Sequence, residues 1–187
     1  MNACAALDPA TLVEYWLGEL DTAREADAEL HVLRCGACAD RLADVVRLGS
    51  AIRKAFVRGN VSAVLTPAFA RQLAAAGWRL REYRVPANGS VRCSVAPDDH
   101  FALARLQAPL AGVERLDLVR IAGGKVLERL ANVPFDRASD EVVFAPAVTA
   151  LRTLHDEAIH VELVDASHDA ERVLAGYDFI HTAWPSK

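Results

Sequence analysis

The chain has 187 residues, 52% of them hydrophobic, and a formal net charge of −4 at pH 7. That length and apolar content can bury one large core or two small ones, and two domains are expected. The acidic balance excludes a general attraction to nucleic-acid phosphates or to anionic membrane surfaces, so a protein or a small ligand is the expected partner.

In chain order, Asp8-Pro9 opens a first predicted helix over residues 9–17, Asp8 serving as its cap and Pro9 as its first turn. Leu12, Val13, Trp16 and Leu17 share its apolar side, and Gly18 ends it. Thr22-Ala23-Arg24-Glu25 has the form of a capping box and starts a second helix carrying Ala26, Leu30 and His31. A third helix begins near Cys38. Leu42, Val45, Gly49, Ile52 and Phe56 recur along it at spacings of three and four, a continuous apolar stripe reaching Arg58-Gly59-Asn60. Thr66-Pro67 caps a fourth helix that presents Phe69, Leu73 and Ala76 before Gly77.

From Trp78 the period changes to two. Strand-like runs cover residues 78–83, 90–95, 101–106, 115–121, 126–130, 159–164 and 172–181, with turns predicted at 122–125 and 165–171. The expected fold is therefore α+β in two domains: a helical bundle over residues 1–77, three helices plus a fourth, and an antiparallel β-sandwich over residues 78–187.

The strongest chemical signal lies between the second and third helices, where His31, Cys35 and Cys38 form a His-x3-Cys-x2-Cys run. Helical spacing places His31 and Cys35 one turn apart, and Cys35-Gly36-Ala37-Cys38 is a tight knuckle that lets two thiolates share one tetrahedral ion. A structural zinc site is closed by four protein ligands. Cys4 is the best candidate for the fourth and Asp8 the runner-up. Four cysteines, three of them grouped with a histidine, suit a reducing compartment better than a secreted disulfide scaffold. The first seven residues hold no basic segment followed by an apolar run, and no later window has the apolar length to span a bilayer, so a soluble cytoplasmic protein is expected.

The second half offers less chemistry. His160 and Glu162 alternate on one strand face near His155, which makes a second metal site conceivable against a reading as solvent-facing polar residues. Cys93 reads as a small buried hydrophobe. Nucleophile elbow, P-loop and dinucleotide fingerprint are all missing from the sequence, and no enzyme activity is expected.

Tyr15-Trp16-Leu17-Gly18-Glu19-Leu20, the capped second helix, the His31-Cys35-Cys38 triplet and the long third helix together resemble the zinc-binding anti-sigma domain of bacteria, over about the first 77 residues. The resemblance implies a zinc bundle of three helices and a fourth that binds a sigma factor of the extracytoplasmic-function type and blocks its contact with RNA polymerase. Charge is consistent with a basic partner. Asp8, Glu14, Glu19, Asp21, Glu25, Asp27 and Glu29 oppose only Arg24 in the first stretch, whereas residues 34–58 hold Arg34, Arg41, Arg47, Arg53, Lys54 and Arg58 against Asp40 and Asp44. Helix four, with Val64, Leu65, Phe69 and Leu73, is expected either to dock into a partner's groove or to pack on the protein's own domains. The β-domain would sense a signal or stabilise the complex. If Cys4 completes a three-thiolate site, its oxidation with Cys35 or Cys38 would eject zinc. The alternative to an anti-sigma factor is a zinc-containing ligand-binding or thiol redox sensor protein with no sigma partner.

Overall fold

The computed structural model describes residue 4, residues 6–136 and residues 139–184. In chain order its elements are α1 (Pro9–Leu17), α2 (Thr22–Arg34), α3 (Gly36–Val57), β1 (Ala63–Leu65), α4 (Pro67–Ala75), β2 (Leu80–Val85), β3 (Ser90–Cys93), β4 (Phe101–Gln107), β5 (Leu116–Ala122), β6 (Lys125–Leu130), β7 (Glu141–Ala145), α5 (Val148–Thr153), β8 (Glu157–Asp165) and β9 (Arg172–His181). They divide into two compact units, residues 1–55 and 56–187.

The first unit is helical, and its helix ends follow local chemistry. Asp8 accepts the Thr11 amide at 2.8 Å to cap α1, and Gly18 closes that helix in the left-handed region at φ 70°, where a side chain would be strained. The cap of α2 is Asp21, which accepts the Ala23 and Arg24 amides at 3.1 and 3.0 Å; it lies one residue before the expected Thr22, because a carboxylate there reaches two free amides at once. α3 starts at Gly36, two residues earlier than its expected start, so Cys38 belongs to its first turn. Trp16 lies so close over Gly49 that any side chain at that position would run into the indole, which accounts for a glycine in mid-helix. Among the described residues of this unit only Leu12, Leu20, Ala28 and Cys38 are buried. Such a core is small for three helices, the situation in which a metal cross-link supplies much of the stability.

The second unit contains two sheets, ordered β1-β7-β4-β2 and β3-β9-β8-β5-β6. Both are mixed. β2 runs parallel to β4, Leu80 opposite Phe101 through Val85 opposite Leu106, and β3 runs parallel to β9, Ser90 opposite Asp178. The expected antiparallel arrangement is thus corrected at two pairings: sequence periodicity marks strands but carries no direction, and both parallel pairs join strands separated by a crossover. Gly123 and Gly124, at φ 55° and 74°, make the two-residue turn between β5 and β6 that Ala122 and Lys125 close as a pair.

One face of each sheet contributes to a shared core containing Leu106, Phe144, Leu118, Leu163 and Tyr177. The Tyr177 hydroxyl donates to the Gln107 carbonyl at 2.6 Å and so links β9 to β4 across it. The opposite face of the first sheet carries a second cluster in which Leu65, Leu73, Phe101, Leu103 and Val143 are buried and Phe56 and Trp78 pack against them. β4 is accordingly buried on both faces, Ala102, Ala104 and Leu106 toward one cluster and Phe101 and Leu103 toward the other. β1 pairs antiparallel with β7, Val64 opposite Phe144, and takes α4 with it into this second unit, whereas the sequence pattern places helix four with the N-terminal bundle. No helix among the described residues is long and apolar enough to cross a membrane.

Candidate metal centre

Four side chains from three separate places in the first unit converge. Cys4 lies on the arm before α1, His31 in the last turn of α2, Cys35 at the α2 C-cap and Cys38 in the first turn of α3. Their ligating atoms all lie within 4.8 Å of one another, and the Cys4 Sγ stands 3.4 Å from His31 Nε2. Tetrahedral zinc with bonds of about 2.0–2.3 Å separates its ligand atoms by roughly 3.3–3.8 Å. The set therefore closes on one ion with small side-chain rotations.

Local structure produces this convergence. The Cys35 backbone leaves the helix at φ −121° and ψ 101°, which breaks α2 from α3 and turns the two thiols inward. Cys38 and Ala39 then donate their amides to the Cys35 carbonyl at 3.1 and 3.0 Å and start the next helix. The Cys38 amide also favours the Cys35 thiolate, and with help from His31 lowers that thiol to about 7. Burial pushes the Cys38 thiol up instead. Three thiols and an imidazole, with no carboxylate among them, form a donor set suited to zinc rather than to calcium or magnesium.

The sequence motif does not reveal Arg41, which supports the cluster from outside. Its guanidinium donates to the Cys4 carbonyl at 2.6 Å and to the Cys38 Sγ at 3.1 Å, so it both ties down the arm and offsets the negative charge that three thiolates would leave around a divalent ion. The only sequence signal is its place one turn after Cys38.

The other candidates fall elsewhere. Asp8, the runner-up ligand, is committed to the α1 cap, lies outside the cluster, and has its pKa lowered chiefly by the Thr11 amide. Val64 and Leu65 belong to β1 rather than to helix four, Leu65 and Leu73 are buried within the second unit, and only Phe69 of the four remains exposed. His160 is held by Asp178 at 2.7 Å and Glu162 at 3.5 Å, His155 is exposed, and no second group of metal-binding residues occurs among the described residues. Cys93 is half-buried with its thiol pushed up to about 11, and its Sγ lies 3.8 Å from Nδ1 of the buried His181.

No protein-family model and no curated protein matches the chain. Among solved structures, the N-terminal domain of phage TP901-1 ORF48 aligns with a TM-score of 0.37 and 11% identity over 56% of this chain and 98% of its own. A cysteine protease inhibitor from Entamoeba histolytica, EhICP2, aligns with a TM-score of 0.27 and 8% identity over 55% of this chain and 96% of its own. Both are faint likenesses.

Proposed function

We propose that the protein is an anti-sigma factor whose first unit, folded around zinc, sequesters a sigma factor of the extracytoplasmic-function type. The observation that carries the reading is the cluster of Cys4, His31, Cys35 and Cys38 joining an N-terminal arm to a helical hairpin, the arrangement that the resemblance of the first 77 residues implies. Zinc supplies a structural cross-link there. His31, Cys35, Cys38 and Cys4 would hold it, and Arg41 would orient Cys38 and the arm.

Surface chemistry agrees with a protein partner. Leu30 and Leu33, one turn apart on α2, and Leu48 and Ile52, one turn apart on α3, are exposed and offer apolar contacts to a partner. The acidic residues Glu25, Asp27 and Glu29 lie on the same α2 and would steer a basic, DNA-binding partner toward it. In this reading Phe69 is the one residue of the expected helix-four contact still available to a partner, because Leu65 and Leu73 are core.

The test is co-expression of the full chain with each extracytoplasmic-function sigma factor of the source organism, followed by purification through one partner and by run-off transcription. A stable complex and repressed transcription, both lost in Cys38→Ser and weakened in Leu33→Asp, are expected. Zinc-loaded protein that neither captures the sigma factor nor represses transcription would overturn the assignment and leave a zinc-containing ligand-binding protein as the better reading.

A further inference from the structure

The second unit contains a groove of about 810 Å³ formed by the loop after β3, by α5 and by the segment following β9. Its volume lies within the range of small-molecule sites, roughly 300–1,000 Å³. Val95 and Leu151, both buried, give it an apolar floor. The same two residues line a smaller apolar cavity of about 40 Å³ between the sheets, so the floor of the groove adjoins space free of atoms.

His181 is the polar feature of this floor, only 2% exposed. Its Nδ1 faces the Cys93 thiol at 3.8 Å, and no described residue pairs with its Nε2. No buried side-chain nitrogen or oxygen among the described residues goes without a partner, so Nε2 keeps a small contact with open space, and His181 is one of the residues that line the groove. A deeply placed imidazole with a nitrogen turned to a cavity is fitted for a bound molecule.

The rim is cationic and aromatic. Arg152 donates to the carbonyls of Pro97 at 3.1 Å and Asp99 at 2.5 Å, which fixes its guanidinium, yet among the described residues no carboxylate pairs with it. Arg79, by contrast, is matched by Asp98 at 2.5 Å. Trp184 lines the groove as well; the Arg81 guanidinium sits 5.0 Å from its ring centre, and the indole remains 43% exposed.

We infer that this groove binds a small organic anion with a flat apolar body, an aromatic carboxylate being the simplest case. Arg152 takes the carboxylate, Trp184 stacks on the ring, His181 Nε2 hydrogen-bonds the polar end, and Val95 and Leu151 receive the apolar edge. The site belongs to the second unit and does not depend on the sigma-factor reading. It gives the second unit a ligand-binding role that the chain would keep with or without such a partner.

Calorimetric titration of the zinc-loaded full chain with 2-naphthoate, and separately with the uncharged 2-naphthamide, tests it. One-to-one binding of naphthoate is expected, with the amide about tenfold weaker and with Arg152→Gln and Trp184→Ala each weakening naphthoate by about tenfold. Arg152 also anchors the loop, so a misfolded Arg152→Gln protein would be uninformative alone; Trp184→Ala changes an exposed ring and keeps the test decisive. Undetectable naphthoate binding, equal affinity for the amide, or an affinity unmoved by Trp184→Ala would overturn the inference.

Discussion

Arg41 touches two members of the metal cluster at once, and its removal separates support from ligation. Arg41→Ala leaves all four donors in place and is expected to weaken zinc by roughly 10- to 100-fold, measured by competition with a chromophoric chelator; unchanged affinity would show that the guanidinium does nothing for the ion. Cys38→Ser removes a donor, and stoichiometric zinc should disappear, while Cys93→Ser should retain it because Cys93 lies outside the cluster. The grouping of His31, Cys35 and Cys38 is legible in the sequence because one helical turn and a two-residue knuckle fix their mutual distances before any tertiary contact exists. Arg41 is not, since an arginine one turn beyond a ligand looks solvated until the arm carrying Cys4 is placed beside it. Acid reports on a different residue. The Ser167 hydroxyl and amide donate to Asp165 at 2.5 and 3.1 Å and, with Arg172, hold this carboxyl below its ordinary value of 3.8. A depressed carboxylate stabilises the fold above its unfolded pKa, and that contribution is lost as pH falls through the lower folded value. Ser167→Ala moves the folded value back up and also strips an acceptor from the Glu114 and Arg115 amides, so acid unfolding of the second unit should begin at higher pH. Near-ultraviolet circular dichroism across the acid range would show it, and an unmoved midpoint would exclude the contact as a source of acid stability.

At the scale of elements, α4 divides into a face that packs and a residue that does not. Leu73 is buried against Phe101 and Leu103, so Leu73→Ala is expected to cost about 2–5 kcal/mol. Phe69, still 41% exposed with its ring 6.4 Å from Phe56, should cost much less when truncated, yet Phe69→Ala is the substitution that would weaken a partner complex. Urea unfolding paired with sigma-factor pull-down separates the two roles; a Phe69→Ala protein as destabilised as Leu73→Ala would assign both residues to the core. Helices α1 and α4 are legible because each opens with a capping side chain followed by proline. β7 escapes because Val142 through Ala145 form one short apolar run without alternation, the pattern of a strand buried on both faces and equally that of a helix fragment. The three residues of β1 are too few to show any period.

At the scale of the whole molecule, the two units differ in what holds them. The first buries few side chains, so a metal held by its cluster would be its main cross-link; the second carries two hydrophobic cores. Stripping zinc with a strong chelator should therefore abolish amide hydrogen-exchange protection in α1–α3 while β4, β5 and β8 stay protected, and uniform loss across the chain would show that the metal governs both. The division between residues 55 and 56 is invisible to periodicity because α3 runs through it without a glycine, proline or cap to mark it. One pairing has a consequence for the order of events during synthesis. β3, at Ser90–Cys93, lies beside β9, at Arg172–His181, so the second sheet lacks a partner for β3 until nearly eighty further residues have left the ribosome. Every ligand of the metal cluster has emerged by Cys38. A nascent chain would thus be able to take up zinc and shape its helices while the rest is still being translated, and a product truncated anywhere between the two would carry a finished metal centre attached to an open sheet.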